Sequence, residues 1–201
     1  LLPWIFFTNV VNQGMGSLVA NESLIKKVYF PRSVLVLSTS ASLAVNWAFE
    51  MGVLIVAIII AGAWQVLLWL PGVIVAMILL ALFSTGIAMM LSIANAHFRD
   101  TQYFVSIALQ LGMYLTPIIY PLSVVVAQSD RIGPVLGSVT LVDIYRLNPL
   151  ERFTSVFRSL IYDNTWPSVG DTIACLVATI VSLGFGWIIF RRNERSLAEI
   201  L

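Results

Sequence analysis

Charged side chains are scarce in this sequence, and their scarcity excludes most soluble folds. About 10% of the residues are charged and 59% are hydrophobic, whereas soluble domains carry roughly 25% charged residues. Between Ser33 and Ala96 the only ionisable side chain is Glu50, which could not supply a soluble surface. Lipid is therefore the expected solvent. Because hydrocarbon cannot hydrogen-bond the backbone, and because the apolar runs do not alternate as barrel strands do, we expect helices.

Cysteine, histidine and lysine are nearly absent as well. The one cysteine, Cys175, cannot form a disulfide within the chain and is expected to be buried and inert. His97 is the only histidine, so it lacks partners for a metal site or a catalytic triad, and we place it at headgroup level. Lys26 and Lys27 do not follow the glycines of a P-loop, so no ATP site of that kind is expected. The net charge of +1 argues against a nucleic-acid partner.

The hydrophobic pattern predicts an all-α polytopic membrane protein with one transmembrane domain over residues 1–201 and about five spans. The predicted segments are the end of a span at 1–19, spans at 33–61, 71–96, 101–120 and 172–190, and a tail at 191–201. Each of the two longest runs can cross about 30 Å of hydrocarbon at 1.5 Å per residue, with turns expected at 62–65 and 69–71. Only residues 122–169 are polar enough to lie largely outside the hydrocarbon.

The first residues lack a methionine and a basic region, which favours a truncated start over a signal peptide. Basic residues set the orientation, because cytoplasmic loops are enriched in them. A cytoplasmic 20–32 loop puts the larger group inside: Lys26, Lys27, Arg32, Arg99, Arg191, Arg192 and Arg195. The smaller group then lies outside: Arg131, Arg146, Arg152 and Arg158.

The segment 21–32 mixes apolar and basic side chains. Asn21 can cap a short helix that ends before Pro31. Such a helix could dock on a cytoplasmic partner, or it could be a basic stop signal at the lipid headgroups. The residues alone leave both interpretations open.

Two predicted spans carry polar residues at intervals of four, which keeps each set on one helix face. The first set is Ser38, Ser42, Asn46 and Glu50, and the second is Gln102, Ser106, Gln110 and Tyr114. A carboxylate as deep as Glu50 should face the bundle or a wet cavity. The stripes could form interhelical hydrogen bonds or line a passage. Aromatic rings suited to sugar faces accompany them, although aromatics also anchor helices at membrane interfaces: Trp47, Tyr103, Tyr114 and Tyr120.

The segment 148–161 is predicted to be an amphipathic helix on the outer side, with Asn148 as its cap and Pro149 at its first position. Its apolar face is Leu150, Phe153, Phe157, Leu160 and Ile161, and its polar face is Glu151, Arg152, Ser155 and Arg158. It could lie in the interface or dip back towards a pore mouth.

Several stretches together resemble the permease subunit of bacterial polysaccharide ABC exporters, the type-2 class that moves O-antigens, capsules and teichoic acids. They are Leu2-Pro3-Trp4-Ile5-Phe6-Phe7, Ser17-Leu18-Val19, residues 21–32, Phe98-Arg99-Asp100, residues 114–121, Asn148-Pro149-Leu150 and Phe190-Arg191-Arg192. The resemblance covers essentially the whole chain. Its most specific parts are residues 24–32 and 114–121.

The resemblance implies a homodimeric permease in the bacterial inner membrane, driven by two copies of a separate ATPase subunit that holds ATP and magnesium. Residues 21–32 would be the cytoplasmic coupling helix, with contacts from Asn21, Glu22, Leu24, Ile25, Lys26, Lys27, Tyr29, Phe30 and Arg32. The outer segment 122–169 would hold re-entrant gate helices, with gate residues Pro117, Pro121, Asn148, Pro149, Phe153 and Phe157. That family has six spans and an N-terminal interfacial helix, so the first of these elements are absent here.

We expect a lipid-linked polysaccharide to pass between two permease copies along the two polar stripes. A type-2 permease for a drug or a small lipid would share the fold. A membrane enzyme acting on a lipid-linked sugar would need clustered acidic, histidine or lysine residues. The outer carboxylates are spread along the sequence, and we interpret them as solvated charges: Asp130, Asp143, Glu151 and Asp163.

Overall fold

The computed structural model describes residues 1–28, 30–116, 145–194 and 197. The described part of the chain is helical and contains no strand, as predicted. Its helices are α1 (Leu2–Ala20), α2 (Glu22–Lys27), α3 (Ser33–Ile60), α4 (Val66–His97), α5 (Thr101–Leu115), α6 (Pro149–Ile161) and α7 (Val169–Asn193).

Three of the described helices, α3, α4 and α7, are long and apolar enough to cross a membrane. The other two predicted spans differ from these in length or polarity. α1 has 19 residues and is interrupted by Asn9, Asn12 and Gln13, and the described α5 has 15 residues. Residues 117–120 of the fourth predicted span lie outside the described residues.

The predicted turn at 69–71 was wrong. α4 begins at Val66, and Pro71 lies inside the helix. The chain reverses earlier, where Gly62 adopts a φ of +94°, a conformation that glycine adopts without steric cost. Pro71 lies in the second turn of α4, where it has no N–H to donate to the Leu67 carbonyl oxygen, so α4 lacks one intrahelical hydrogen bond there.

α4 is the central helix, because α1, α3, α6 and α7 all pack against it. The closest approach is to α7, where glycines replace larger side chains on both helices. A Cβ atom on Gly86 would lie 2.5 Å from the Ser182 backbone, and one on Gly186 would overlap the carbonyl oxygen of Gly86. Ser182 Oγ donates a hydrogen bond of 2.8 Å to the carbonyl oxygen of Phe83. Small residues and interhelical hydrogen bonds are the usual means of association within lipid.

Aromatic rings fill the space between α1, α3, α4 and α6. Phe6 stacks on Trp47 with ring centroids 4.1 Å apart, and Phe7 stacks on Phe83 at 5.9 Å. Trp47 is 2% exposed, so the prediction that its ring faces a sugar passage was wrong. Its position at i+1 relative to Asn46 turns it to the buried side of α3.

The contacts between helices define their directions. Along α4 and α7, Leu79 contacts Thr179 and Phe83 contacts Ser182, so these two helices run parallel. At one end of the bundle Arg99 lies 3.7 Å from Glu22. The segments predicted to be cytoplasmic therefore meet at one end.

We predict that Gly186→Ala destabilises the bundle, because its methyl group would force α4 and α7 apart. Overpacking of this kind costs about 1–3 kcal/mol. Gly184→Ala is the matched control, since a Cβ atom there meets nothing within 4 Å. Thermal unfolding in detergent should show a lower midpoint for Gly186→Ala only, and equal midpoints would contradict the close packing described above.

Candidate functional site

The short helix α2 presents a mixed apolar and basic surface at the end of the bundle that the basic residues predict to be cytoplasmic. Ile25 is buried and anchors the helix, whereas Leu24, Lys27 and Val28 are exposed. The helix is shorter than the predicted 21–32, because Val28 adopts an extended conformation and ends it. Asn21 occupies the cap position, but its side-chain amide donates to the carbonyl oxygen of Ser17 instead of capping α2.

An ion pair joins α2 to the turn between α4 and α5. Lys26 Nζ lies 2.7 Å from Glu22 Oε1, and Arg99 approaches the other carboxylate oxygen. The hydrogen bond from Lys26, together with the charges of Lys26 and Arg99, holds the pKa of the Glu22 carboxyl below its ordinary value. Because the pair is exposed, it orients the helix more than it stabilises the fold.

The other end of the segment 21–32 is joined to the end of α7. The backbone N–H of Arg32 donates to Glu194 Oε1 at 2.9 Å, and the Arg32 guanidinium donates to the Glu194 carbonyl oxygen. Arg32 is half-buried, and Phe30 packs against the core. Tyr29, also predicted to be a coupling residue, lies outside the described residues.

The two predicted polar stripes both lie on exposed helix faces. Ser38, Ser42, Asn46 and Glu50 are exposed on α3, and Gln102, Ser106, Gln110 and Tyr114 are exposed on α5. The hydroxyls of Ser38 and Ser106 bond to carbonyl oxygens of their own helices. The stripes are therefore available to a ligand or to a further protein surface.

α1 lies between α3 and α5 and contributes a third polar face. It packs on α3, α4 and α5, and its remaining side exposes Asn9 and Gln13 beside the half-buried Asn12. Because α1 packs on both α3 and α5, we group Asn9, Asn12 and Gln13 with the α3 and α5 stripes and call the set the polar groove. Sequence reasoning treated the α1 residues only as interruptions of a span. Their spacing of three to four residues was the signal that could have placed them on one face.

α6 is held between the spans and does not lie on the surface, since none of its residues is exposed. α6 is therefore covered by the rest of the bundle, and its re-entrant position in the membrane stays a prediction. Phe153 packs on Phe83 at 5.4 Å, and Phe157 meets the edge of Trp47 at 5.9 Å. Phe83 and Trp47 both lie near the middle of their helices, so α6 reaches deep into the bundle.

The start of α6 is fixed by the predicted cap. Asn148 Oδ1 accepts a hydrogen bond of 3.0 Å from the N–H of Leu150, and Pro149 occupies the first turn. The Asn148 amide also donates to Thr116 Oγ1 at 2.9 Å, which joins the start of α6 to the end of α5. Pro117 and Pro121, the other predicted gate residues near this point, lie outside the described residues.

The charged side of α6 faces α7 and not water. Arg152 pairs with Asp171 in the first turn of α7, and its Nε donates to the Arg146 carbonyl oxygen at 2.9 Å. Glu151 is 4% exposed, so the prediction that it is a solvated charge was wrong. Its Oε2 lies 4.0 Å from Arg152 Nε and accepts no hydrogen bond from the residues that the structure describes. Burial, and secondarily the charge of Asp171, raise the pKa of the Glu151 carboxyl.

Cys175 is buried as predicted, and the headgroup level predicted for His97 stays a prediction. Cys175 is buried on α7. His97 is exposed at the end of α4, where its Nδ1 lies 2.9 Å from the Ile93 carbonyl oxygen. Among the described residues, no three histidine, cysteine or acidic side chains are placed to bind a metal ion.

The arrangement defines a class of protein before any comparison. Long apolar helices packed as a bundle, with polar side chains exposed along α1, α3 and α5 and the short helix α2 at one end, are the organisation of a multi-pass membrane protein. The identity within that class comes from relatives.

Three curated relatives are similar to essentially the whole chain, and no family model matches it. Each is named O-antigen export system permease protein RfbA. One, from Myxococcus xanthus, is 28% identical over 99% of this chain and 72% of its own length. Two, from Klebsiella pneumoniae, are 29% and 30% identical over all of this chain and 73% of their own length.

The chain belongs to the family of O-antigen export system permeases, the membrane subunits of type-2 ABC exporters. The resemblance found in the sequence is thereby confirmed. The prediction of a multi-pass protein of the inner membrane is also confirmed.

We predict that the stability of the protein depends on the ionisation of Glu151. Because the pKa of the Glu151 carboxyl is raised in the folded state, folding favours its protonated form. The contribution of this carboxyl to stability is fully present at pH values below its unfolded pKa of about 4.3. It is lost as pH rises through the folded pKa. Thermal unfolding midpoints in detergent, compared with those of Glu151→Gln, should fall relative to the variant as pH rises above the unfolded value. Asp163→Asn, at an exposed loop carboxyl, controls for the loss of one charge. A difference between wild type and Glu151→Gln that does not change with pH would contradict this account.

Proposed function

We propose that this chain is the permease of an ATP-driven exporter that moves a lipid-linked polysaccharide out across the inner membrane. Two permease copies enclose the passage, and two copies of a separate ATPase subunit bind and hydrolyse ATP with magnesium. The observation that carries the proposal is the exposed surface of α2 at the cytoplasmic end, on a chain similar to three O-antigen export permeases.

Coupling starts at α2. Its exposed Leu24 and Val28 supply apolar contact area, and Lys26 and Lys27 supply positive charge, so an ATPase groove with apolar and acidic lining would hold it. Ile25 fixes α2 to the bundle. A push on α2 then reaches α4 and α5 through Glu22 and Arg99, and α7 through Arg32 and Glu194.

The polar groove is the proposed wall of the passage. Amides and hydroxyls can exchange hydrogen bonds with sugar hydroxyls as a chain slides past, and the exposed rings of Tyr103 and Tyr114 offer faces to sugar rings. Groups that bind a polymer at many weak sites allow it to enter and also to leave. α6 is the proposed gate at the outer side, moving as one body because Phe153 and Phe157 anchor it to the spans.

We predict that the double charge reversal Lys26→Glu/Lys27→Glu abolishes ATPase binding or coupling, because acidic groups would then face an acidic groove. The measurement is co-purification of the full-length permease with the ATPase, followed by ATP hydrolysis. We expect at least about a tenfold loss of complex, about 1.4 kcal/mol. Glu22→Gln is the control, since it breaks the pair with Lys26 but keeps both lysines. Undiminished assembly and coupling in the double variant would reject the coupling assignment.

We predict that Asn46→Trp blocks export while leaving the ATPase complex intact, because a bulky ring would obstruct the polar groove. Surface polysaccharide should fall to background in cells that carry this variant as their only permease. Ile180→Trp is the matched control, at an exposed position on α7, which packs on α4 and α6 away from the groove. Normal export by Asn46→Trp would show that the groove is not the passage.

A further inference from the structure

A second cavity, separate from the polar groove, lies between α4, α6 and α7. Its volume is about 560 Å³. Gly72 and Ala76 of α4 are small and leave this space open. Val156 and Leu160 of α6 form one wall, and Ile173 of α7 forms another. The coupling and passage surfaces described above use none of these residues.

A tryptophan pair fixes the depth of this cavity. Trp69, in the first turn of α4, meets Trp166 edge to face at 5.2 Å, and Trp166, which lines the cavity, is 79% exposed. Exposed tryptophans of membrane proteins collect at the headgroup level. From Trp69 down to Leu79, which also lines the cavity, α4 rises about 15 Å at 1.5 Å per residue. That length is half of the roughly 30 Å hydrocarbon core, so the cavity spans the outer leaflet.

The lining of the cavity is unsuited to water. Among the residues that the structure describes, no charged side chain lines it, and the Thr172 hydroxyl is already bonded to the Ser168 carbonyl oxygen at 3.1 Å. A buried water needs two to four polar partners, which these walls lack. The rim is open on the lipid side, where Val75, Val169 and Ile173 are exposed.

We infer that this cavity is a binding site for one acyl chain of an outer-leaflet phospholipid. The chain enters beneath the Trp69–Trp166 pair and lies along the side of α6 formed by Val156 and Leu160. It fills the space between α6 and α7, on the side of α6 remote from the cap at Asn148. The bound lipid thereby supports α6 in its re-entrant position. The inference requires only that the outer ends of α4 and α7 lie in the outer leaflet, and not that the protein exports a polysaccharide.

The test is lipid retention by the purified full-length permease in detergent, measured by native mass spectrometry after washes that remove bulk lipid. We expect one phospholipid per wild-type chain, and its loss from Val75→Trp and from Ile173→Trp, whose rings would close the rim. Ile180→Trp, exposed on α7 but outside the cavity, is the matched control and should retain the lipid. The two blocking variants lie on different helices, so a folding defect in one does not affect the result from the other. Unfolding midpoints equal to that of the wild type confirm that each variant is folded.

A second measurement locates the lipid. In nanodiscs made with phosphatidylcholine brominated along its acyl chains, the Trp166 contribution to fluorescence is taken as the difference from Trp166→Phe in the same background, because the chain has six tryptophans. This contribution should be quenched in the wild type, and the quenching should be lost in the Ile173→Trp background. Retention of an isoprenoid lipid in place of a phospholipid, retention of no lipid, or equal retention by the blocking variants would each overturn the inference. Neither measurement uses the ATPase or the glycan, so failure of the lipid inference is distinguishable from failure of the proposed function.

Discussion

The close contact between α4 and α7 is the constraint on which the described architecture depends. Lipid gives helices no hydrophobic reason to associate, so the contact must come from close packing and hydrogen bonds between helices. Gly86 and Gly186 remove the side chains that would separate the backbones, and Thr179 and Ser182 donate to carbonyl oxygens of α4. With α7 fixed in this way, α6 has a two-helix surface on which to pack, and α4 keeps its other side for α1 and α3.

The two ends of the molecule are built on different physical principles. At the cytoplasmic end, α2 is a small helix held by one buried side chain and by exposed ionic contacts, so it can transmit movement without being part of the core. At the outer end, α6 is held by aromatic packing and by the partly buried Arg152–Asp171 pair. Such a pair resists separation, because each partner would leave an unpaired charge away from water. Displacing α6 would break these contacts, so it requires work from elsewhere in the protein.

Glu151 is the exception to this pattern of packed and paired side chains. It is buried with an oxygen that accepts no hydrogen bond within the described part of the chain, and its neighbours include both Arg152 and Asp171. The sequence placed it on the polar face of an amphipathic helix, where a carboxylate is normally solvated. Helical periodicity identifies which residues share a face but not what covers that face. Once α6 inserts between the spans, both of its faces are covered, and the polar one meets α7.

The sequence by itself determined the membrane solvent, the helical class, the positions of α3, α4 and α7 and the cap at Asn148, because these depend on local composition and on hydrogen bonds between neighbouring residues. It also determined the family, through residues spread along the chain. Only the tertiary structure decided that Trp47 belongs to the core, that α1 adds a third polar face to the groove, and that a lipid-sized cavity lies behind α6. Each of these depends on which helices become neighbours. That choice rests on close approaches such as Gly86 with Gly186, between residues far apart in the sequence, which no single span reveals.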